Sequence, residues 1–162
     1  MFDVHLWWPK FAKEIIKLTD PISLEVKNEF RRHWVEKGGH IRDVLRDDIQ
    51  LIVILEKILP RYWGPYPRTP LYRGENVERL EKGLLGLNWS SSVNIAREFA
   101  SGLNADTHKG GVLLRVFPEM SSIVSGPYPY FYTARKEEEF ILSPKCASKR
   151  LVELEYFPCV GC

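Results

Sequence analysis

The sequence has few cysteines and methionines, no internal repeat and no strong excess of charge of either sign. Among its 162 residues are 3 Cys and 2 Met, and 23 Lys and Arg stand against 21 Asp and Glu, a formal net charge of +2. Binding along a nucleic-acid backbone depends on many neutralised phosphates, and so small an excess does not by itself indicate it. A local basic patch or a site for a single phosphate stays open.

The sequence also lacks an apolar run of the roughly 20 residues that a membrane-spanning helix needs. The most apolar segment, Ile49 to Leu59, is interrupted by Gln50, Glu56 and Lys57. Residues 1–10 contain no basic stretch that leads into an apolar run, so they do not resemble a secretory signal. We therefore expect a protein without membrane contact that is cytoplasmic or is delivered into a target cell.

Cysteine is confined to the last part of the chain, where Cys159 and Cys162 form a CxxC and Cys146 stands apart. A CxxC occurs in halves of zinc sites, in redox pairs and in tails with neither role. Without a second CxxC or an HxxxH, zinc would need dispersed histidines as ligands. We expect no metal site, and the sequence does not decide whether the two cysteines pair.

Apolar and aromatic residues, by contrast, are plentiful. Hydrophobic residues make up 44% of the chain, and 5 Trp, 7 Tyr and 8 Phe supply bulky side chains for a core. This composition is typical of a compact globular protein. We expect one domain over residues 1–162.

Residues 1–60 have the apolar period of amphipathic helices. We predict a helix that opens at Pro9, a second that begins at Pro21 after an Asp20 cap and ends at Gly38-Gly39, and a third from Ile41 to Leu59. Pro60 stops the third helix, and prolines are frequent over residues 60–70. That segment is predicted to be a stiff connection.

Residues 71–162 show the pattern of short strands. The predicted strands are Leu71 to Arg73, Leu87 to Ser90, Val112 to Phe117, Ile123 to Ser125, Glu137 to Leu142 and Leu151 to Phe157. One helix, Val93 to Gly102, interrupts them. Helices followed by strands predict an α+β fold, in which the N-terminal helices pack on a mostly antiparallel sheet.

Three short segments contain candidate functional residues, and the first is Leu71-Tyr72-Arg73-Gly74-Glu75. The guanidinium of Arg73 can bind a phosphate through two N–H groups, next to a glycine that permits close backbone approach. The same segment also fits a solvated ion pair between Arg73 and Glu75. Alone it does not separate the two interpretations.

The second segment is Ser90-Ser91-Ser92, which follows Trp89 and precedes the predicted helix. A helix N-cap explains Ser92 or Asn94 but not Ser90, which ends a strand. Ser90 is placed to hold a second polar side chain in its correct rotamer. No GxSxG surrounds it, so a serine nucleophile is not indicated.

The third segment is Glu137-Glu138-Glu139, followed by Phe140-Ile141-Leu142. The period of two along a strand places Glu137 and Glu139 on one face. An acidic run alone also fits a solvated sheet edge. The apolar continuation favours an interior strand, with two carboxylates that converge.

In this order the three segments resemble the Arg-Ser-Glu class of ADP-ribosyltransferases. The similarity covers Leu71 to Pro144: an arginine at the end of a first strand, three serines before a helix of the form A-x-x-F-A, and Glu-x-Glu before an apolar trio and Pro. Gly86 to Ser90 is similar to the G-x-x-W-T/S version of small bacterial and phage members. Ser91 stands where threonine is more usual, and the strand portion is shorter than in typical members.

The resemblance implies a split-sheet fold and NAD as the substrate, cleaved between nicotinamide and ribose. It implies that Glu139 binds the ribose 2′-hydroxyl and stabilises the oxocarbenium ion, that Ser90 orients Glu139, and that Arg73 binds the pyrophosphate. Glu137 would receive the acceptor, and a glutamate at this place goes with arginine targets in the family. The implied cofactor-binding set comprises Arg73, Gly74, Trp89, Ser90, Phe131 and Glu139, with an aromatic ring between Tyr130 and Tyr132 against nicotinamide or the target.

Three other functions remain open on the sequence alone. Water could serve as the acceptor, which would make the protein an NAD glycohydrolase. The protein could also be a non-catalytic NAD-binding module that acts in protein interaction. This alternative is disfavoured, because such a module has no physical reason to keep a costly pair of converging carboxylates. Transfer to nucleic acid is disfavoured by the lack of a basic stripe, although Arg31-Arg32 leaves it open. The acceptor protein is not identified by the sequence.

Overall fold

The structure is a computed structural model that describes residues 4–106, 108–127 and 139–162. The chain divides into two compact units, Met1–Arg61 and Tyr62–Cys162. We expected one domain with a helical and a strand part. The division falls where the proline-rich connection begins, and each unit has an apolar core of its own.

The first unit contains three helices, α1 (Val4–Lys17), α2 (Leu24–Leu45) and α3 (Asp48–Ile58). Aromatic rings join α1 to α2: Phe11 stacks on Phe30 at 6.3 Å between ring centroids, and Trp8 meets the same ring edge-on. The ammonium group of Lys57, on α3, donates to the carbonyls of Ile15, Ile16 and Leu18 at the end of α1. A cation there satisfies carbonyls that the helix itself leaves unpaired.

The predicted helix boundaries in this unit were wrong in three places. α1 begins at Val4 and contains Pro9, and Ser23 rather than Asp20 caps α2 through its hydroxyl. α2 continues through Gly38 and Gly39, and the turn before α3 comes at Arg46, whose φ is 52°. Gly38 is kept by packing, because a Cβ there would lie 2.8 Å from the buried Trp34 ring. The glycine pair therefore looked like a helix end without being one.

The second unit contains an antiparallel sheet of six described strands with short helices around it. In chain order the elements are β1 (Leu71–Asn76), α4 (Val77–Glu81), β2 (Asn88–Ser90), α5 (Val93–Ser101), β3 (Gly111–Val116), β4 (Ile123–Ser125), β5 (Glu139–Leu142), α6 (Pro144–Ala147) and β6 (Val152–Phe157). The strand order is β4-β5-β2-β1-β3-β6. The predicted α+β class and the antiparallel sheet are confirmed.

The two halves of this sheet are joined at one place. β1 and β3 pair over six residues, whereas β1 and β2 share the single register pair Tyr72 and Ser90. On one side of this junction lie β4, β5 and β2, and on the other lie β1, β3 and β6. The sheet is thus continuous, with a narrow connection where we expected a split.

Helix α5 covers one face of the sheet and the main apolar core covers the other. Ala96 and Ala100 of α5 pack on Leu113, with Tyr72 beside them. Gly74 permits this contact, because a Cβ there would lie 2.3 Å from the backbone nitrogen of Ala100. Of the two N-cap candidates for this helix, Ser92 and Asn94, the structure selects Ser92, whose hydroxyl accepts a hydrogen bond from the Ile95 N–H.

The opposite face carries Leu71, Val112, Leu114, Val116, Trp89, Phe140 and Leu142, which are buried together. Trp89 is 1% exposed at the centre of this cluster. Side chains of this face alternate along each strand with those under α5. Any residue of the sheet can therefore be assigned to one face from its register.

The carboxyl-terminal cysteines are joined, since Cys159 and Cys162 form a disulfide. The sulfur of Cys162 lies 3.5 Å from Nδ1 of His108. In the described part of the chain no group of three or more His, Cys, Asp or Glu is arranged to hold a metal ion. The helices described there include none with the length and apolar character to span a membrane.

The adjacent glycines of α2 are expected to respond in opposite ways to alanine. Nothing lies within 4 Å of a Cβ at Gly39, so Gly39→Ala should stabilise the unit by about 0.5–1 kcal/mol through its better helix propensity. Gly38→Ala forces a methyl group against the Trp34 ring and should cost about 1–3 kcal/mol. Urea unfolding followed by circular dichroism measures both, and equal effects would mean that α2 does not continue past Gly38.

Candidate functional site

The serine and glutamate singled out in the sequence lie side by side in the structure. β2 ends at Ser90 and β5 begins at Glu139, and these two residues are directly opposite each other in the β2–β5 pair. Residues directly opposite in an antiparallel pair point to the same face, with Cβ atoms about 4.5–5.5 Å apart. The side chains of Ser90 and Glu139 are therefore neighbours on one face of the sheet.

The surroundings hold Ser90 in place. It is 7% exposed, and its hydroxyl oxygen accepts a hydrogen bond of 3.0 Å from the Ser92 N–H. Ser92 in turn caps α5, so the strand end and the helix start are tied together by neighbouring serines. Glu139 is half-buried, and its Oε2 atom is shielded from solvent. The pair lies in a partly desolvated place, where electrostatic interactions are stronger than in water.

A cleft of about 490 Å³ opens at the strand ends near Ser90 and Glu139, on the opposite face of the sheet. Phe140 and Ser91, the residues that follow Glu139 and Ser90, line it together with Leu71. Its other wall is the proline-rich connection, with Tyr62 and Tyr66 and the residues Pro65, Pro67, Arg68 and Thr69, and Pro127 closes it. The cleft is aromatic and mostly apolar, with a few polar groups at its rim, as small-molecule sites are.

Both tyrosines of this wall are fixed by their hydroxyl groups. Tyr62 donates to the Pro65 carbonyl at 2.7 Å and Tyr66 to the Pro118 carbonyl at 2.6 Å. The ring of Tyr62 also meets Phe140 edge-on, with 5.4 Å between centroids, and burial raises the pKa of its hydroxyl. The wall of the cleft is therefore preformed.

The structure does not bring Arg73 to Ser90 and Glu139. Tyr72 is the β1 residue opposite Ser90, so Arg73 points to the other face, where Leu114 is its neighbour on β3. Its guanidinium donates through Nε to Glu75 and through Nη1 to the Asn88 carbonyl, at 2.8 Å each. The Arg73 side chain thus joins β1 to the backbone of β2 at Asn88, two residues before Ser90, where the two backbones pair.

Glu75 is the acceptor at the centre of this bridge. It is 1% exposed and also accepts hydrogen bonds from the N–H groups of Asn76 at 2.9 Å and Gly86 at 2.8 Å. Burial alone raises the pKa of Glu75, but the charge and hydrogen bond of Arg73 and the two backbone donors outweigh it and hold this pKa below its ordinary value. Glu75 is therefore an ionised, fully engaged buried carboxylate.

Glu75 was missed as a structural centre because the predicted first strand ended at Arg73. The sequence signal that could have found it is the spacing of two between Arg73 and Glu75, which places both on one strand face once β1 extends to Asn76. The ion pair weighed as an alternative for this segment is real, but it is buried rather than solvated.

The remaining predicted site residues fall into two groups. Gly74 lies under the backbone of α5, and Trp89 lies inside the apolar core, so the structure gives both a role in packing. Glu137 and Phe131, with Tyr130 and Tyr132, lie outside the described residues. Of the residues implied by the resemblance, Ser90 and Glu139 are those that the structure brings together.

No protein-family model matches the chain, and the searches of curated proteins and of solved structures found no similar protein.

The buried carboxylate is expected to make stability depend on pH. Because the pKa of Glu75 is lowered on folding, its contribution is complete above the ordinary glutamate pKa of about 4.3 and is lost as the pH falls through the lower folded-state value. Glu75→Gln should lower the free energy of unfolding at pH 7 and reduce its decline on acidification. Urea midpoints at pH 7 and at about pH 3 measure this.

Glu98→Gln is the matched control, since Glu98 lies exposed on α5 of the same unit. It should keep the wild-type stability and pH dependence. If Glu75→Gln behaved like this control, Glu75 would not be a buried ionised group.

Proposed function

We propose that this chain is a mono-ADP-ribosyltransferase that cleaves the nicotinamide–ribose bond of NAD and transfers ADP-ribose to a protein side chain. The proposed target side chain is an arginine. The observation that carries the proposal is the cross-strand pairing of Ser90 with Glu139 on one face of the sheet. The order of the sequence segments, shared with the Arg-Ser-Glu class, supplies the chemistry. The split-sheet fold of that class is part of the proposal, with the narrow connection between β1 and β2 as the counterpart of the split.

Cleavage of this bond places positive charge on the ribose, because nicotinamide leaves with the bonding electron pair. The resulting oxocarbenium ion needs a carboxylate close to the ring, as in glycoside hydrolysis. Glu139 would accept a hydrogen bond from the ribose 2′-hydroxyl and stabilise that charge. Its shielded position strengthens this interaction relative to water.

Ser90 would act as a positioning residue. A hydroxyl has one donor and two acceptor sites, and the Ser92 N–H occupies one acceptor site of Ser90. Its own hydrogen is then directed away from that N–H and can be donated to the neighbouring Glu139 carboxylate. A carboxylate fixed in this way is preorganised for charge stabilisation.

The aromatic cleft would hold the leaving group. Nicotinamide is a flat, neutral ring with one amide, and it suits a cleft lined by Tyr62, Phe140 and Tyr66. Phe140 follows Glu139 on β5 and points to the opposite face, so a ring bound in the cleft would bring its ribose to the carboxylate around the ends of β2 and β5.

The acceptor step follows from the resemblance. Glu137, two residues before Glu139, would orient an arginine side chain and accept its proton as a guanidinium nitrogen attacks the ribose carbon. Water in that place would give hydrolysis instead, by the same site. The acceptor protein is proposed by class alone, as one that exposes an arginine.

Incubation with NAD labelled in the adenylate part, with and without cell lysate, tests the proposal. Label on a protein band is the expected result. Free ADP-ribose alone would identify a glycohydrolase, and release of neither product would overturn both enzymatic functions.

Glu139→Gln should lower the rate of NAD cleavage by about 100- to 1,000-fold, the usual effect of losing one well-placed electrostatic group. NAD affinity should change little, because the charge matters chiefly as the oxocarbenium ion develops. Nicotinamide release and isothermal titration with NAD measure the two quantities. Glu98→Gln serves as the control, and a loss of only about two-fold would remove Glu139 from the mechanism.

Glu137→Ala should separate transfer from hydrolysis. Transfer to a guanidinium acceptor is expected to be lost, while NAD cleavage by water continues, because Ser90 and Glu139 remain. Agmatine as acceptor and ADP-ribose release in its absence provide the two readouts. A parallel loss of both activities would place Glu137 at the ribose, and no loss of either would leave it without a role in the reaction.

A further inference from the structure

The row of residues that contains Ser90 and Glu139 continues to an arginine that the sequence did not single out. Tyr72 lies opposite Ser90 on β2 and opposite Arg115 on β3. Arg115, Tyr72, Ser90 and Glu139 therefore occupy successive strands in one line across the sheet. Residues aligned in this way point to the same face.

The packing of β3 agrees with this assignment. Leu113, two residues before Arg115, packs under α5 together with Tyr72. The guanidinium of Arg115 lies over the ring of Phe117, two residues further along, at 5.8 Å from the ring centroid. Arg115 thus lies on the face of Ser90 and Glu139, whereas Arg73 lies on the other.

Arg115 differs from its neighbours in how its charge is balanced. Arg73 and Arg79 pair with Glu75, Arg97 with Glu155, and Arg150 with Glu119. Within residues 4–106, 108–127 and 139–162 no acidic side chain pairs with Arg115, and its Nε atom is buried without a hydrogen-bond partner. A buried donor in this state is costly, and an anion placed against it would remove that cost.

We infer that Arg115 binds the diphosphate of the substrate, at the far end of the row from Glu139. This inference rests on the proposed function. It assigns the anion-binding role to Arg115 in place of Arg73, whose Nε and Nη1 are engaged with Glu75 and the Asn88 carbonyl.

The spacing suits an ADP-ribosyl group. Three inter-strand steps separate Arg115 from Glu139, which corresponds to about 14 Å between their Cα atoms. A substrate that reaches both ends of the row must therefore be extended, as the ribose and diphosphate of NAD are.

Two further features favour an anion at this place. The guanidinium lies over the Phe117 ring, a contact that helps to fix its orientation. Helix α5 begins at Val93, which packs on the same apolar cluster as Tyr72. The positive end of this helix therefore lies near the row, where it favours a negative charge.

Binding of NAD, ADP-ribose and nicotinamide to the full chain tests the inference by isothermal titration. Arg115→Gln should weaken NAD and ADP-ribose by about 10- to 100-fold, the range for a hydrogen bond to a charged group. Arg115→Lys should recover part of the affinity, because it keeps the charge but loses the fork. Nicotinamide carries no phosphate, so its affinity should be unchanged in both variants.

Arg97→Gln is the matched control, since Arg97 is an exposed arginine of the same unit paired with Glu155. Its affinity for NAD should equal that of the wild type. Wild-type affinity in Arg115→Gln would overturn the inference while leaving the proposed function in place. Weakened binding in Arg73→Gln but not in Arg115→Gln would also overturn it and return the role to Arg73.

The two proposals fail separately. If the wild type binds ADP-ribose through Arg115 but never cleaves NAD, the anion site stands and the transferase is overturned. If the wild type binds neither NAD nor ADP-ribose, both are overturned. A general loss of structure in Arg115→Gln would weaken nicotinamide as well and would count against a specific phosphate contact.

Discussion

The geometry of the candidate site depends on one backbone pairing, that of Tyr72 with Ser90. It is the register pair through which β1 and β2 join the two halves of the sheet. Because side chains alternate along a strand, a slip by one residue here would bring Arg73 to the face of Ser90 and remove Tyr72 from it. The alignment of residues from four strands, from Arg115 to Glu139, is thus set at a single point.

The Arg73 and Glu75 pair secures that point from the opposite face. Beyond Tyr72 and Ser90 the two strands diverge, and the Asn88 carbonyl of β2 receives its hydrogen bond from the Arg73 side chain of β1. Glu75 completes the connection by accepting the Gly86 N–H from the segment that leads into β2. Hydrogen bonds from side chains to the backbone here take the place of the backbone hydrogen bonds that join strands elsewhere in the sheet. A buried carboxylate is tolerated because all its donors are supplied locally.

Short-range signals in the sequence predicted the strands of the second unit and helix α5, but the expectation of one helix among the strands was wrong, because α4 and α6 are present as well. Alternation predicted β3 and β4, and the hydroxyl of Ser92 marked the start of α5. The neighbourhood of Ser90 and Glu139 was implied by the resemblance, and the β2–β5 register places the two side by side.

Features that depend on distant parts of the chain were not predictable in this way. The face to which Arg73 points follows from strand order, which no local pattern encodes. Gly38 and Gly39 have the local appearance of a helix end, yet the Trp34 ring explains the first of them through packing. No local pattern marks Arg115 as a candidate site residue. Its alignment with Ser90 follows from the register of β3 with β1 and of β1 with β2.

The outer edge of the sheet at β6 has a consequence for how the protein behaves in concentrated solution. Among the strands that the structure describes, β6 is the last in the sheet order, and it exposes Val152, Leu154 and Tyr156. Such an edge is a template on which a second molecule can add a strand. Glu153 and Glu155 alternate with these apolar residues, and the register shift opposite Leu113 and Leu114 interrupts the regular ladder. Charge and irregularity both discourage the addition of a strand, so neutralising these two glutamates would make edge-to-edge association easier.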